Sequence, residues 1–343
     1  MPHTATILRT DTPPDPRPET VDLIYPTSWS VAPGRFADEA ARDAESWLCE
    51  RGVISDAAGR EKFRQLAVGP YANWPFPSAS RERAAVITRF LALWIFYDDA
   101  IEEHDDGQQA QIFRAIAGDL PVCPAGDAHL RCWWELGRAY APTMSPAWRL
   151  RHARRFAAWV DSVRDESRGA QSLRASGVLP TADLHLARRR LNIGMLPNLD
   201  FLEYQMAWEL PPELVHDPDM LALADLSAEV VALVNDLHGY TKDQDLAWCN
   251  MVPCVAHERH VPLAEAFRLV ASMHNQRVRA AAQLERRLLA RCPDQPHLAR
   301  WIQGLRHIMY GFARWHAIAP RYRVRHELGD TRRIDLRVVH TPA

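Results

Sequence analysis

The chain has 343 residues, 47% of them hydrophobic and 24% charged, a balance that supports a sizeable packed interior and excludes an intrinsically disordered protein. Its 41 Lys and Arg against 43 Asp and Glu leave a formal net charge of -2, without the basic excess that would hold nucleic acid or an anionic membrane surface. No basic segment followed by a long apolar run opens the chain, and no stretch approaches the roughly 20 apolar residues of a membrane span, so a cytoplasmic location without stable membrane association is expected.

Residues 1–22 mix Pro, Asp and Thr with little apolar content and are expected to form a disordered tail. From residue 23 to 343 no interdomain linker and no repeat of fixed period interrupts the chain, which predicts one domain. Apolar residues recur at three- and four-residue spacing over Ala84 to Tyr97, Trp148 to Val163, Leu221 to Leu237 and Leu263 to Leu289, and each segment is expected to be a helix. Prolines fall mostly between such segments, as at Pro75, Pro77, Pro121, Pro197, Pro211 and Pro212, and strand alternation with hairpin turns is missing. The expected fold class is an all-α bundle. The six cysteines form no CxxC pair, and Cys249 and Cys254 lie far in sequence from any His cluster, so reduced, buried thiols are expected rather than a zinc site.

Two of these helices end in polar groups. Ala84 to Tyr97 is apolar around most of its circumference, as in the middle of a bundle, and runs straight into Asp98, Asp99, Ala100, Ile101, Glu102 and Glu103. Asp98 and Glu102 are four apart and Asp99 and Glu102 three apart, so their carboxylates share a helical face and repel unless a cation lies between them. Such hard oxygen ligands suit Mg²⁺. On the carboxylates alone, a solvated helix end accounts for the pattern as well, and His104, Asp105 and Asp106 are expected to be a solvated continuation. Leu221 to Val234 is nearly all apolar too and leads into Asn235, Asp236, Gly239, Lys242 and Asp243. Asn235, Gly239 and Asp243 form one column if the helix continues, and a helix stop at Gly239 if it does not.

Asp98-Asp99-Ala100-Ile101-Glu102 resembles the DDxx(D/E) motif of class I terpene synthases, and Asn235 to Asp243 resembles their NDxxSxxxE motif. Arg189 stands 46 residues before Asn235, where that family carries a diphosphate-sensing Arg. Trp315 followed by Arg321-Tyr322 is similar to the Trp and Arg-Tyr pair of bacterial members, and Pro75 to Ser80 to their lead-in segment. The resemblance covers about residues 25 to 325. It departs from the pattern at Gly239, where the family has Ser or Thr, and at Asp243, where it has Glu.

The resemblance implies a helical bundle around a central cavity, in which a linear isoprenyl diphosphate, with farnesyl diphosphate as default, is ionised and cyclised. It implies three Mg²⁺ ions held by Asp98, Asp99 and Glu102 on one side and by Asn235 and Asp243 on the other. Arg189, Lys242, Arg321 and Tyr322 would meet the diphosphate, with Arg190 the alternative to Arg189 if the register is off by one. Phe76, Trp94, Ile95 and Trp315 would line the substrate cavity, whereas Phe96 and Tyr97 are read as core. A homodimer is compatible with it. Three other readings stay open at this level: a chain-elongating prenyltransferase, which normally uses an Asp-led second motif; a helical protein of this fold that has lost catalysis through Gly239 and Asp243; and a di-iron oxygenase, whose Glu-x-x-His spacing Glu103-His104 lacks.

Overall fold

The computed structural model describes residues 19–246, 248–322, 326–327 and 333–342. The first helices, α1 (Ala37–Glu50), α2 (Ala57–Leu66) and α3 (Val68–Asn73), lead to the buried α4 (Arg81–Asp98). Next come α5 (Asp106–Ala117), α6 (Ala128–Tyr140), the long α7 (Pro146–Ser176), α8 (Ala182–Asn192), α9 (Met195–Met206) and the single turn α10 (Pro212–Val215). The second buried helix, α11 (Pro218–Asp245), is followed by α12 (Met251–Arg259), α13 (Leu263–Arg291) and α14 (Pro296–Ile318). Each of the four periodic segments lies inside one of these helices, and α11 runs unbroken through Gly239 to Asp245, so no stop follows Asn235.

Helix starts carry the expected chemistry. The side chains of Ser80, Ser145, Thr181 and Asp217 each accept a backbone N–H in the first turn of α4, α7, α8 and α11, satisfying donors that have no partner within the helix. Pro197 is a correction to the reading of prolines as breaks, because it occupies the first turn of α9, where a missing N–H costs nothing. Asp105 and Asp106 are exposed, as expected; Asp105 also caps α5 in a reciprocal box with Gln108, and Asp106 pairs with Arg164 at 2.9 Å. His104 is buried against the ring of Tyr97. Phe96 and Tyr97 are both buried, Tyr97 fully, with Trp133 and Phe156 against its ring.

A small sheet adds to the helical bundle. Strand β1 (Glu19–Pro26) pairs in parallel with β3 (Arg333–Thr341), Leu23 opposite Val338, while β2 (His326–Glu327) pairs antiparallel with β3. Residues 19–22, expected in the tail, are therefore strand; residues 1–18 lie outside the described residues. Alternation over β1 points Val21, Leu23 and Tyr25 inward, a period-two signal too short to stand out beside long helical periods. Asn275 of α13 fixes β1 by accepting from Ile24 N at 2.8 Å and donating to Asp22 O at 3.0 Å. Tyr25 Oη lies 2.9 Å from His274 Nε2 beside it. Among the described residues no helix is long and apolar enough to cross a membrane.

Burial pushes the His274 imidazole down to about 4, so it stays neutral in the folded chain but takes a proton in the unfolded one below about pH 6.5. The unfolded state then binds more protons as pH falls. Stability is full above about pH 6.5 and is lost toward about pH 4, on the order of 3 kcal/mol for this residue. The urea midpoint should fall over that window, and less steeply in His274→Gln; an equal slope in the variant would assign the loss to other groups.

Candidate functional site

At its C-terminal end α4 passes from the buried rings of Trp94, Phe96 and Tyr97 to Asp98, whose side chain faces a cavity of about 520 Å³. Asp98 is open to the cavity yet surrounded by protein, and this desolvation, followed by the charge of Asp99, pushes its carboxyl up to about 6. Such a shift marks a place short of positive charge. Asp99 also borders the cavity but pairs with Lys62 of α2, whose ammonium lies 4.5 Å over the Phe96 ring and donates to Ile95 O at 3.2 Å. Glu102 belongs to a 3₁₀ turn, Ile101–Glu103, and its side chain lies outside the described residues.

Across the cavity, α11 presents Asn235, Lys242 and Asp243. His316 decides which way the Asn235 amide points. Its Nδ1 lies 2.7 Å from Phe312 O, a carbonyl that can only accept, so Nδ1 carries the hydrogen and Nε2 accepts from Asn235 Nδ2 at 3.1 Å. Burial, and then His238, hold this imidazole well below the usual range, in keeping with a neutral ring. Asn235 Nδ2 also donates to Tyr322 Oη at 3.1 Å, and Asn235 Oδ1 accepts from Arg189 Nη2 at 2.7 Å. The oxygen, the only metal-binding atom of the amide, is thus turned toward Arg189 and the cavity.

Arg189 on α8 is buried and also contacts Asp236 Oδ1 at 3.0 Å, whereas Arg190 points away, to Glu229. The 46-residue separation therefore becomes a direct contact between α8 and α11. Burial pushes the Asp236 carboxyl up, but Arg189 and His185 outweigh it and hold the group below the usual carboxylate range. Asp243 Oδ2 accepts from Asn250 Nδ2 at 2.8 Å, and its Oδ1 lies 3.4 Å from Lys242 Nζ. A Cβ on Gly239 would stand 3.1 Å from Asp243 Oδ2, so the shorter carboxylate folds back into space that a side chain at 239 would fill. Arg321 and Tyr322 border the same cavity, with the guanidinium 5.2 Å over the ring. Hard oxygen donors on two facing helices, beside an undercompensated carboxylate, have the chemistry of a site for a hard divalent cation.

The apolar wall includes Trp94, Ile95 and Trp315. Trp315 Nε1 donates to Leu66 O at 2.7 Å, and its ring lies 4.3 Å from that of Tyr71. Phe76, expected in this wall, does not line the cavity but packs edge-on against Phe201 at 6.0 Å in the core, because the turn before α4 lies away from the helix end that bears Asp98. Sequence reasoning missed Tyr71, Trp159, Phe312, Glu166 and His316, all cavity-lining. Trp159 lies within a segment whose periodicity predicted a helix, but periodicity does not distinguish a core face from a cavity face. Glu166, 3.9 Å from Arg189, is pushed up to about 7 by burial, against the pull of Arg189.

Behind Asp236, Cys249 and Cys254 are free thiols as expected, but the premise that no His lies near them is corrected. Cys249 and Cys254 meet His185, whose Nε2 lies 2.8 Å from Asp236 Oδ2. The separation of more than 60 residues hid this approach, which depends on α12 crossing α8.

The description "Terpene synthase family 2, C-terminal metal binding" belongs to a family model that matches residues 89–280, more than half of the chain and inclusive of Asp98, Arg189, Asn235 and Asp243. The pristinol synthase of Streptomyces pristinaespiralis is 24% identical over 338 residues, covering 90% of this chain and 87% of that protein. A (-)-beta-caryophyllene synthase of Saccharothrix espanaensis, described as (2E,6E)-farnesyl diphosphate cyclizing, is 25% identical over 228 residues, 64% of this chain and 61% of its own. Among solved structures, the linalool/nerolidol synthase from Streptomyces clavuligerus superposes with a TM-score of 0.75 at 17% identity, over 84% of this chain and 98% of that one.

Gly194, between α8 and α9, holds the wall in place. Its φ is +73°, and a Cβ there would lie 2.3 Å from Trp94 Cζ2, whose ring in turn packs, tilted by 38°, 3.8 Å from that of Trp159. Gly194→Ala combines a disfavoured backbone with overpacking and should cost about 3 kcal/mol, with a changed tryptophan emission of the folded state. Wild-type stability and emission would show that the wall yields without strain.

Proposed function

The chain belongs to terpene synthase family 2, the class I terpene cyclases, and from that premise we propose that it ionises a linear isoprenyl diphosphate and cyclises the carbocation to a terpene hydrocarbon or alcohol, releasing diphosphate. The observation that carries the reading is one cavity in which the oxygen donors of α4 and α11, three cationic side chains and a wall of aromatic rings converge. Farnesyl diphosphate is the substrate we propose, supported by the relative described as cyclizing it.

Asp98, Asp99 and Glu102 on one side and Asn235 and Asp243 on the other would hold Mg²⁺, three ions with diphosphate bound. Mg²⁺ there supplies positive charge against the negative charge that develops on the leaving oxygens. Arg189, Lys242 and Arg321 add fixed donors for the same oxygens, Arg through a planar fork that pairs with two at once. The Arg189 guanidinium already spans Asn235 and Asp236, so its orientation is set before substrate arrives. Tyr322, hydrogen bonded to Asn235, joins the polar side. Trp94, Ile95 and Trp315 keep water from the reacting chain, and the two tryptophans offer π faces to the cation. Asn235 leading the second motif favours cyclisation over chain elongation.

Incubation with geranyl, farnesyl and geranylgeranyl diphosphate and Mg²⁺, read by gas chromatography and diphosphate release, tests the reading. Asp98→Ala and Asn235→Ala should each lower turnover by about 10²-fold or more with unchanged helical circular dichroism, while Arg190→Ala stays near wild type. Near-normal turnover in either of the first two variants would refute the metal assignment. A wild type inert toward all three substrates would favour a non-catalytic member of the fold.

Gly239 and Asp243 give a separate test. Gly239→Ser must swing the Asp243 carboxylate by a few tenths of an ångström, which a short side chain can do, and it adds a hydroxyl ligand. The Mg²⁺ concentration for half-maximal diphosphate release should stay equal or fall, and Asp243→Ala should be severely impaired. An Asp243→Ala enzyme as active as wild type would move the third ion elsewhere.

A further inference from the structure

His185 of α8, Cys249 in the segment before α12 and Cys254 within α12 have no part in the chemistry above; only Cys249 reaches the edge of the diphosphate cavity, from behind Asp236. Their ligand atoms are all within 4.8 Å of one another, and the two sulfurs are 3.6 Å apart. A disulfide would need about 2.05 Å. Two thiolates on a tetrahedral zinc ion, with Zn–S bonds of about 2.3 Å, stand about 3.8 Å apart. The observed spacing excludes the covalent bond; it is that of a thiol–thiol hydrogen bond and is close to what two thiolates on one zinc need.

The imidazole is presented in the way that metal sites require. Asp236 accepts from Met251 N at 2.9 Å and pairs with Arg189, so it is a carboxylate, and His185 Nε2 must donate to it. With Nε2 committed to Asp236, Nδ1 is the ring atom left to a metal, and binding displaces any proton it carries. A carboxylate on the far nitrogen is the usual outer partner of a metal-bound histidine and fixes both tautomer and ring plane. Cys254 and His185 are buried, while Cys249 and His185 border a second cavity of about 650 Å³, from which an ion and a fourth, water ligand can enter.

We propose that His185 Nδ1, Cys249 Sγ and Cys254 Sγ bind one zinc ion that pins α8 to α12 behind Asp236. Binding forms two Zn–S bonds and one Zn–N bond, releases to solvent the two protons that the cluster carries besides the one donated to Asp236, and changes no oxidation state. The ion is structural, because Asp236 links His185 to Arg189 and Met251 N of the same segment donates to Asp236. It is separate from the Mg²⁺ assignment and stands or falls without it.

The test uses the full chain, reduced, loaded with zinc chloride in excess Mg²⁺ and dialysed. Wild type should retain about one zinc per chain, as should Asp98→Ala and the exposed-thiol control Cys123→Ser, while Cys249→Ser and Cys254→Ser lose it. Co²⁺ loading of wild type should give thiolate-to-cobalt charge-transfer absorption in the near ultraviolet, a readout that needs no variant to fold. A strong chelator should lower the wild-type melting temperature by several degrees and leave that of Cys249→Ser unmoved. Zinc retained by Cys249→Ser and Cys254→Ser but lost in Asp98→Ala would place the ion at the Mg²⁺ site and overturn the proposal. So would wild type without zinc or cobalt absorption, whether its two thiols titrate freely or have formed a disulfide by mass.

Discussion

The guanidinium of Arg189 is the contact on which the site depends. It is buried between Asn235 and Asp236, and a buried cation must be paired or the fold bears its full desolvation. Because both partners lie on α11 and Arg189 lies on α8, satisfying that charge fixes the axial register of the two helices. The same register turns Asn235 Oδ1 toward the cavity and brings His185 to the opposite oxygen of Asp236. Removing Arg189 would leave the buried Asp236 carboxylate with only His185 and Met251 N as partners, so its effects on catalysis and on folding are coupled by construction.

A second constraint is the way α4 and α11 deliver charge. Both are buried along most of their length, and each becomes polar where it borders the cavity. A polar side chain on a buried helix is tolerated where a cavity or a partner receives it, which confines Asp98, Asn235 and Asp243 to that border. Their partners differ in kind. Asn235 is held by Arg189 and Asp243 by Asn250, and burial pushes the carboxyls of both Asp98 and Asp243 upward. Both carboxylates therefore gain from an added cation.

Gly239 and Asp243 are best understood together. The missing side chain at 239 and the shorter arm at 243 are complementary in space, since the carboxylate folds over the glycine and is caught by Asn250, itself tied to Asp236 O at 2.8 Å. The segment 248–251 thus buttresses the far end of the α11 face while carrying one of the two thiols that meet His185.

The long helices, the two polar helix ends and the order of the motifs were legible in the sequence, because they follow from local periodicity and from residue types at fixed spacing along one helix. The Arg189 to Asn235 separation was legible only through family resemblance, since no local rule relates two helices 46 residues apart. What tertiary structure alone decided were contacts between elements distant in sequence: Asp99 turned to Lys62, Phe76 in the core rather than the cavity wall, His316 orienting the Asn235 amide, and β1 paired with β3 across the whole chain. The cysteine cluster is the clearest case, since spacing placed Cys249 and Cys254 far from any His and the crossing of α8 and α12 brings His185 to them. Periodicity identifies a buried face but not its neighbour, and chemistry at a site depends on which side chains the packing of separate helices brings within about 3 Å.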